Sequence, residues 1–348
     1  MYGSARLRLP LLLLALLVAS CAPGRTPLAR VVSNALPAPA ALPVTTGADR
    51  LTPLADGKSA FAAVTEAIES ARRSIDLELY EFQRPDLAAL LLAGHQRGVA
   101  VTAIRDPSEQ SSAGIWAQLE DGGVRIVAFP VERSTIDHVK LLIVDSERAI
   151  VGGINWGAHS ALNHDFDVLA EGRVVDNLER VFRQDLALAG VATIIPRPAA
   201  DPLVQVLVTR PGDAIRLAAL SAIAAAHQSI DIAMYVLSYR PALDALAAAV
   251  RRGVRVRVLL DPTQAQNNDA MTELRAAGAA VRLYTQAGDE LLHAKLAVFD
   301  RASTLFGSCN WSRSGFSRNH ELDLMVRDPG MATVFLSRLD QDWLASAP

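Results

Sequence analysis

"HVKLLIVDSERAIVGGINW" (138–156) and "HAKLAVFDRASTLFGSCNW" (293–311) are two copies of one pattern, set 155 residues apart. In each, a histidine and a lysine two residues apart head an apolar run. An aspartate follows, then a pair of small residues, then an asparagine. Side chains alternate faces along a strand, so His138 and Lys140 share one face while Val139, Leu141 and Ile143 take the other. His293 and Lys295 repeat the arrangement. Asp145 and Asp300 come seven residues after their histidines, and this odd spacing turns them away from the imidazoles. They read as structural residues that bond loop amides or a helix end. Gly152-Gly153 and Gly307-Ser308 permit a tight turn that brings backbone N–H groups close to whatever lies in front of them.

The repetition extends outward from these stretches. "SIDLELY" (74–80) answers "SIDIAMY" (229–235), and "RGVAVTAIRDP" (97–107) answers "RGVRVRVLLDP" (252–262), at the same offset. Two similar units have been joined, and such units tend to pack about a pseudo-twofold axis. Each unit opens with a helix (Phe61, Val64, Ile68; then Ile215, Leu217, Leu220) that leads into a strand. A second helix (Leu87 to Arg97; Leu243 to Arg252) is stopped by Gly98 or Gly253, and a strand ending in Asp-Pro follows. This alternation predicts an α/β fold of two similar halves, each a mixed sheet flanked by helices. "IIPRPAADP" (194–202) is the joint, with one half over 53–190 and the other over 203–345.

The N-terminus reads differently. Arg6 and Arg8 precede "LPLLLLALLV", a run too short for a comfortable membrane span, which marks residues 1–20 as a signal peptide. The stretch Leu17-Val18-Ala19-Ser20-Cys21 resembles a bacterial lipobox, which implies lipidation of Cys21 and a cell-envelope address facing the periplasm or on the outer membrane. Ala22 is not the aspartate associated with inner-membrane retention. Residues 21–52, rich in Pro and Ala, read as an extended tether that reaches up to about 100 Å. Cys309 is then the second of two cysteines and has no disulfide partner. It occupies the variable position of its pattern and is not expected to be catalytic.

The chain has 348 residues, 51% of them hydrophobic and 20% charged, enough for a sizeable globular core. Lys plus Arg total 34 against 37 Asp plus Glu, for a formal charge of −3, and aromatics are 5%. Neither figure favours a dedicated nucleic-acid binder.

If the halves face each other, one pocket holds two lysines, two histidines and the amides of Asn155 and Asn310. That set suits a phosphodiester. Lysines neutralise non-bridging oxygens, the amides donate to them, one imidazole attacks phosphorus and the other protonates the leaving oxygen. The division of labour requires one neutral and one charged imidazole.

His-x-Lys-x4-Asp-x6-Gly-[Gly/Ser]-x-Asn, present twice, resembles the phospholipase D superfamily. The resemblance implies catalysis by His138, Lys140, Asn155, His293, Lys295 and Asn310 through a phosphohistidine. It also implies a carboxylate about 28 residues after each histidine that orients the histidine of the opposite half. "NHDFD" (163–167) and "NHELD" (319–323) offer Asp165 and Glu321, with Asp167 and Asp323 as neighbours of the same type. His164 and His320 recur there as structural or phosphate-contacting residues. Gly153, Ser308, Tyr80 and Tyr235 are placed at the substrate. No cofactor or metal is implied, and no His/Cys/Asp cluster has metal-ligand spacing. Because the pseudo-symmetry hides the roles, His138 is taken as nucleophile and His293 as acid. The expected activity is phospholipase D-type cleavage or transfer on a phospholipid at a membrane surface, by a monomer. A cardiolipin synthase-type phosphatidyltransferase and an endonuclease of the same superfamily are the alternatives.

Overall fold

The computed structural model describes Met1 and residues 42–132, 135–210, 212–286 and 288–346. Cys21 and the signal-peptide stretch lie outside the described residues.

The first half contains β1 (Val44–Thr46), β2 (Asp49–Leu54), α1 (Gly57–Ser70), β3 (Ser74–Leu79), α2 (Pro85–Gln96) and β4 (Ala100–Arg105). It continues with α3 (Ala113–Asp121), β5 (Arg125–Ala128), β6 (Lys140–Val144), β7 (Arg148–Gly152), β8 (Asp167–Glu171) and α4 (Arg173–Leu188). The second half contains β9 (Val204–Val208), α5 (Ala214–Ala225), β10 (Ser229–Met234), α6 (Arg240–Arg251), β11 (Arg255–Leu260) and α7 (Asn267–Ala276). Then come β12 (Ala280–Leu283), β13 (Lys295–Phe299), β14 (Ser303–Gly307), α8 (Arg313–Ser317), β15 (Leu322–Val326) and α9 (Pro329–Ala345).

Each half builds a mixed sheet. The orders are β1-β2-β8-β7-β6-β3-β4-β5 and β12-β11-β10-β13-β14-β15-β9. With one order reversed they match strand for strand, with β9 in the place of β2 and β1 as an extra edge. Registers repeat as well: Leu79 pairs with Lys140 and Met234 with Lys295. The expected two-halved α/β fold is what the chain adopts.

The sheets share a core. Val139, Leu141, Ile143, Val151 and Val168 of the first sheet cluster with Leu296, Val298, Phe306 and Leu324 of the second, around Leu178 and Phe182 of α4 and Phe335 and Leu339 of α9. The opposite faces carry separate cores under α1, α2 and α3 and under α5, α6 and α7. The layer order is therefore helices, sheet, α4 with α9, sheet, helices.

Two expectations are corrected. The stretch read as tether reaches into the fold, because β1 and β2 begin at Val44 and Asp49. Leu51 and Leu54 are buried there, and β2 pairs with β8 along its length. Leu217, expected on the inward face of its helix, is 54% exposed. Ile215, Ala219 and Ile223 form the buried stripe of α5 instead. Among the described residues no helix is long and apolar enough to cross a membrane.

Candidate active site

His138 and His293 lie in the residues that enter β6 and β13, and each is only 6% exposed. Their approach is fixed by backbone bonds across the halves. The His138 N–H donates to the His320 carbonyl at 2.8 Å, and the His320 N–H donates to Ile136 at 2.8 Å. In mirror fashion the His164 N–H donates to Leu291 at 2.9 Å. The aspartates of the two Asp-Pro pairs brace the same loops: Asp106 accepts from the Asp137 N–H at 2.7 Å and Asp261 from the Leu292 N–H at 2.9 Å. These two braces went unassigned in the sequence reading, although their common offset marked them.

The carboxylates cross between halves. His138 Nδ1 lies 2.8 Å from Glu321 Oε2. His293 Nδ1 lies 3.0 Å from Asp165 Oδ2. Asp167 and Asp323 do not reach the histidines. They accept from the Ile154 and Cys309 amides at 3.2 and 3.0 Å and so hold the small-residue turns. The turns meet, for a Cβ on Gly153 would lie 2.6 Å from Asp165 Oδ1 and 3.0 Å from the Gly307 carbonyl. A side chain there would push the two halves apart.

Lys140 donates to the His138 carbonyl, and Lys295 does the same to His293. Lys295 Nζ also lies 2.9 Å from both ring nitrogens of His293. Tyr80 meets the His138 ring edge-on at 5.2 Å, and Tyr235 lies 4.8 Å from His293. Each tyrosine also lies under the neighbouring ammonium, at 5.5 and 5.3 Å. Asn310 Oδ1 accepts from the Val236 N–H at 3.2 Å. Asn155 Oδ1 is buried with no hydrogen bond.

Ser308 points to the Glu321 carboxylate. It is fully buried, its hydroxyl donates to Glu321 Oε2 at 2.6 Å, and it accepts from the Leu322 N–H at 3.0 Å. Gly153 is likewise packed against Asp165. The reason is tertiary: the small-residue turn sits behind the opposing carboxylate and supports it. Asn319 and Thr209, which the sequence reading did not single out, complete the cradle of Glu321. Asn319 Nδ2 donates to Oε1 at 2.9 Å, and the Glu321 N–H donates to Thr209 at 2.9 Å.

Asp145 and Asp300 lie away from the histidines. Asp145 accepts from the amides of Arg72, Arg73 and Ser74, and Asp300 from those of His227, Gln228 and Ser229. Cys309 is buried in the second half's outer core, and burial raises its thiol pKa well above the ordinary value.

The electrostatics depart from the mirror. Burial pushes His138 down to about 4, against the pull of Glu321, and the lysines add to the push. Burial with Lys295 and Lys140 also drives His293 well below its ordinary value. Burial and the two neighbouring lysines thus disfavour a charged imidazole in either half. Burial lowers the lysines themselves, to about 7 for Lys140 and about 8 for Lys295. The carboxylates differ. Burial raises Asp165 to about 7 despite both lysines. Burial would raise Glu321 too, but His138, Lys140 and the Ser308 hydroxyl together pull it below its ordinary value.

The family model described as "Cardiolipin synthase, PLD-like domain" matches twice, over residues 64–186 and 219–343. Cardiolipin synthase A of Pseudomonas entomophila is 28% identical over 326 residues, covering 83% of this chain and 67% of the relative. Cardiolipin synthase A of Pseudomonas aeruginosa is 28% identical over 334 residues, covering 86% and 68%. The crystal structure of phosphatidylserine synthase from Haemophilus influenzae superposes with a TM-score of 0.68 at 14% identity and covers 87% of each chain, a likeness of fold.

Proposed function

Because this chain belongs to the cardiolipin synthase, PLD-like domain family, we propose that it is a phosphatidyltransferase that works through a phosphohistidine. The observation that carries the reading is the pair of crossed histidine–carboxylate contacts beside two buried lysines. Transfer to an alcohol takes precedence over the phospholipase D-type hydrolysis that the sequence alone put first. The names of the relatives support that order.

The unequal carboxylates support His138 as nucleophile and His293 as acid. Glu321, ionised, holds the His138 Nδ1–H and leaves Nε2 free to attack phosphorus. Asp165, raised to about 7, keeps a proton available to the pair it forms with His293. His138 Nε2 bonds to phosphorus as the P–O bond to the first alcohol breaks, and His293 delivers a proton to that oxygen. His293 then takes the proton of the incoming hydroxyl, whose oxygen displaces His138 from phosphorus. Lys140, Lys295, Asn155 and Asn310 hold the non-bridging oxygens. Burial of both imidazoles disfavours bulk water as the acceptor.

The test is incubation of the full chain with phosphatidylglycerol vesicles and, separately, with plasmid DNA. Transfer yields cardiolipin and glycerol. Phosphatidate as the main lipid product returns the reading to hydrolysis, and DNA cleavage without lipid turnover overturns it. His293→Ala should trap phosphate on His138 when the leaving group is a nitrophenol, which needs no proton. Phosphate on His293 in the His138→Ala protein reverses the two roles.

We also propose lipid anchoring at Cys21, which would hold the site at an envelope membrane. Cys21→Ala should abolish fatty-acid labelling and release the protein from membranes. Unchanged fractionation without labelling removes the anchor.

A further inference from the structure

Beside the site, three residues distant in sequence converge. Glu78 of β3, Asp185 of α4 and His320 before β15 each offer one ligand atom within 4.8 Å of the others. Glu78 and Asp185 are fully buried and His320 is 1% exposed. Both Glu78 oxygens, both Asp185 oxygens and both His320 ring nitrogens lack a hydrogen bond among the described residues. His320 Nε2 comes within 3.0 Å of Asp185 Oδ2 without hydrogen-bond geometry. Asp137, also fully buried, leaves its Oδ2 unbonded. Phe129 stacks on the His320 ring at 4.8 Å and closes one side. Converging carboxylates in a dry interior are costly unless something positive sits between them.

The other half shows what that is. At the repeated position His164 Nδ1 lies 3.0 Å from Asp342. Arg338 Nη2 lies 2.7 and 2.8 Å from the His164 ring nitrogens and 3.2 Å from Asp342. Glu290 is 4.0 Å from the same ring, and the Tyr284 hydroxyl donates to Glu290. That cluster has two carboxylates and a guanidinium of its own. The His320 cluster has three carboxylates and none. Arg180 acts on Asp185 through its charge and donates to Gln184 at 3.2 Å. The repeat also puts Ala233 where the first half has Glu78. The first-half cluster thus carries two more negative charges than its mate.

We propose that Glu78, Asp185 and His320 bind one divalent transition-metal ion of the zinc class, with the Asp137 carboxylate beside them. Carboxylate and imidazole donors together suit zinc, and its two units of positive charge offset the formal difference between the two clusters. Burial of all three donors makes the ion structural. It ties β3 and α4 of the first half to the segment of the second half that carries Glu321, so it positions the carboxylate behind His138. The sequence reading expected no metal because positions 78, 137, 185 and 320 have no motif spacing. The competing arrangement needs no metal: His320 keeps a second proton, which Asp185, Asp137 and Glu321 favour against burial, and a further proton is shared between Glu78 and its neighbours Asp185 and Asp137, whose negative charge adds to burial in raising Glu78 well above its ordinary value.

The test does not depend on the catalytic reading. Untagged full chain, purified without chelator, is analysed for metal by mass spectrometry. It is then unfolded and refolded with either chelator or zinc chloride, and the thermal midpoints are compared. The expected results are about one zinc ion per chain and a higher midpoint after refolding with zinc. Glu78→Gln and His320→Gln should lose the ion. Equal midpoints with zinc, manganese or chelator, and no retained metal in the wild type, overturn the proposal in favour of the shared proton. This wild-type comparison decides even if a variant does not fold. Undiminished metal in both folded variants also overturns it, since the ion then lies elsewhere.

Discussion

Ser308 marks one difference between the two halves of the site. Its hydroxyl donates to Glu321 at 2.6 Å, whereas Gly153 at the matching position offers Asp165 no donor. Against burial, His138 first, then Lys140 and this hydroxyl, hold Glu321 below its ordinary value, whereas burial raises Asp165 to about 7. A hydrogen bond to a charged group contributes about 1.5–3 kcal/mol, or about 10- to 100-fold in rate when that group orients a nucleophile. Ser308→Ala should lower kcat by that factor and leave KM nearly unchanged, because the hydroxyl is bonded to Glu321. A rise in KM with kcat intact would show that it faces the substrate. Ser308→Thr, which restores the hydroxyl, should recover part of the loss if the pocket admits the methyl group.

At the scale of the element, the β6–β7 and β13–β14 hairpins share one device. Asp145 and Ser146 have φ of 57° and 56°, and Asp300 and Arg301 have 50° and 56°. L-residues rarely enter this region, and aspartate does so more readily than most. Each aspartate makes the turn useful by accepting three amides from the segment that ends the preceding helix and starts β3 or β10. The strand that carries the histidine is thereby locked to its neighbour. Asp145→Ala or Asp300→Ala should each cost about 1–3 kcal/mol of stability while the folded fraction keeps its chemistry. Burial opposes ionisation here, but the amides prevail and hold both carboxyls below the ordinary 3.8. A depressed folded value means that the contribution is fully present above the unfolded carboxyl value and is lost as pH falls through the lower one. Urea midpoints of wild type and variant should therefore differ by a constant amount at neutral pH and converge in acid below 3.8. A gap that widened in acid would contradict the assignment.

The two halves share one middle layer, to which both contribute. Phe335 of α9 packs edge-on against Phe166 at 5.1 Å and against Phe306 at 5.0 Å, one from each half. Removing such a ring from a core costs about 3–5 kcal/mol. Phe335→Ala should shift a single calorimetric transition to lower temperature. Two separated transitions in the wild type, only one of them moved by the variant, would mean that the halves unfold independently. The same layer explains why either half alone should lack activity. Each histidine depends on a carboxylate from the other side, and each sheet would expose its inner face to water.

Periodicity and repetition determined a good deal of this protein by themselves. The 155-residue offset made two like halves unavoidable, and strand parity sorted His138 and Lys140 from the apolar face and from Asp145. Such features are local or self-similar, and a chain displays them directly. Only the tertiary structure decided which carboxylate of "NHDFD" and "NHELD" meets a histidine, that Ser308 supports Glu321, and that β1 and β2 extend the first sheet into the stretch read as tether. It alone brought Glu78, Asp137, Asp185 and His320 together. Those choices depend on how two surfaces meet across a shared core and on which charges burial tolerates there. Neither is written in the order of residues along one strand, since desolvation and pairing are set by neighbours that the fold, not the sequence, makes adjacent.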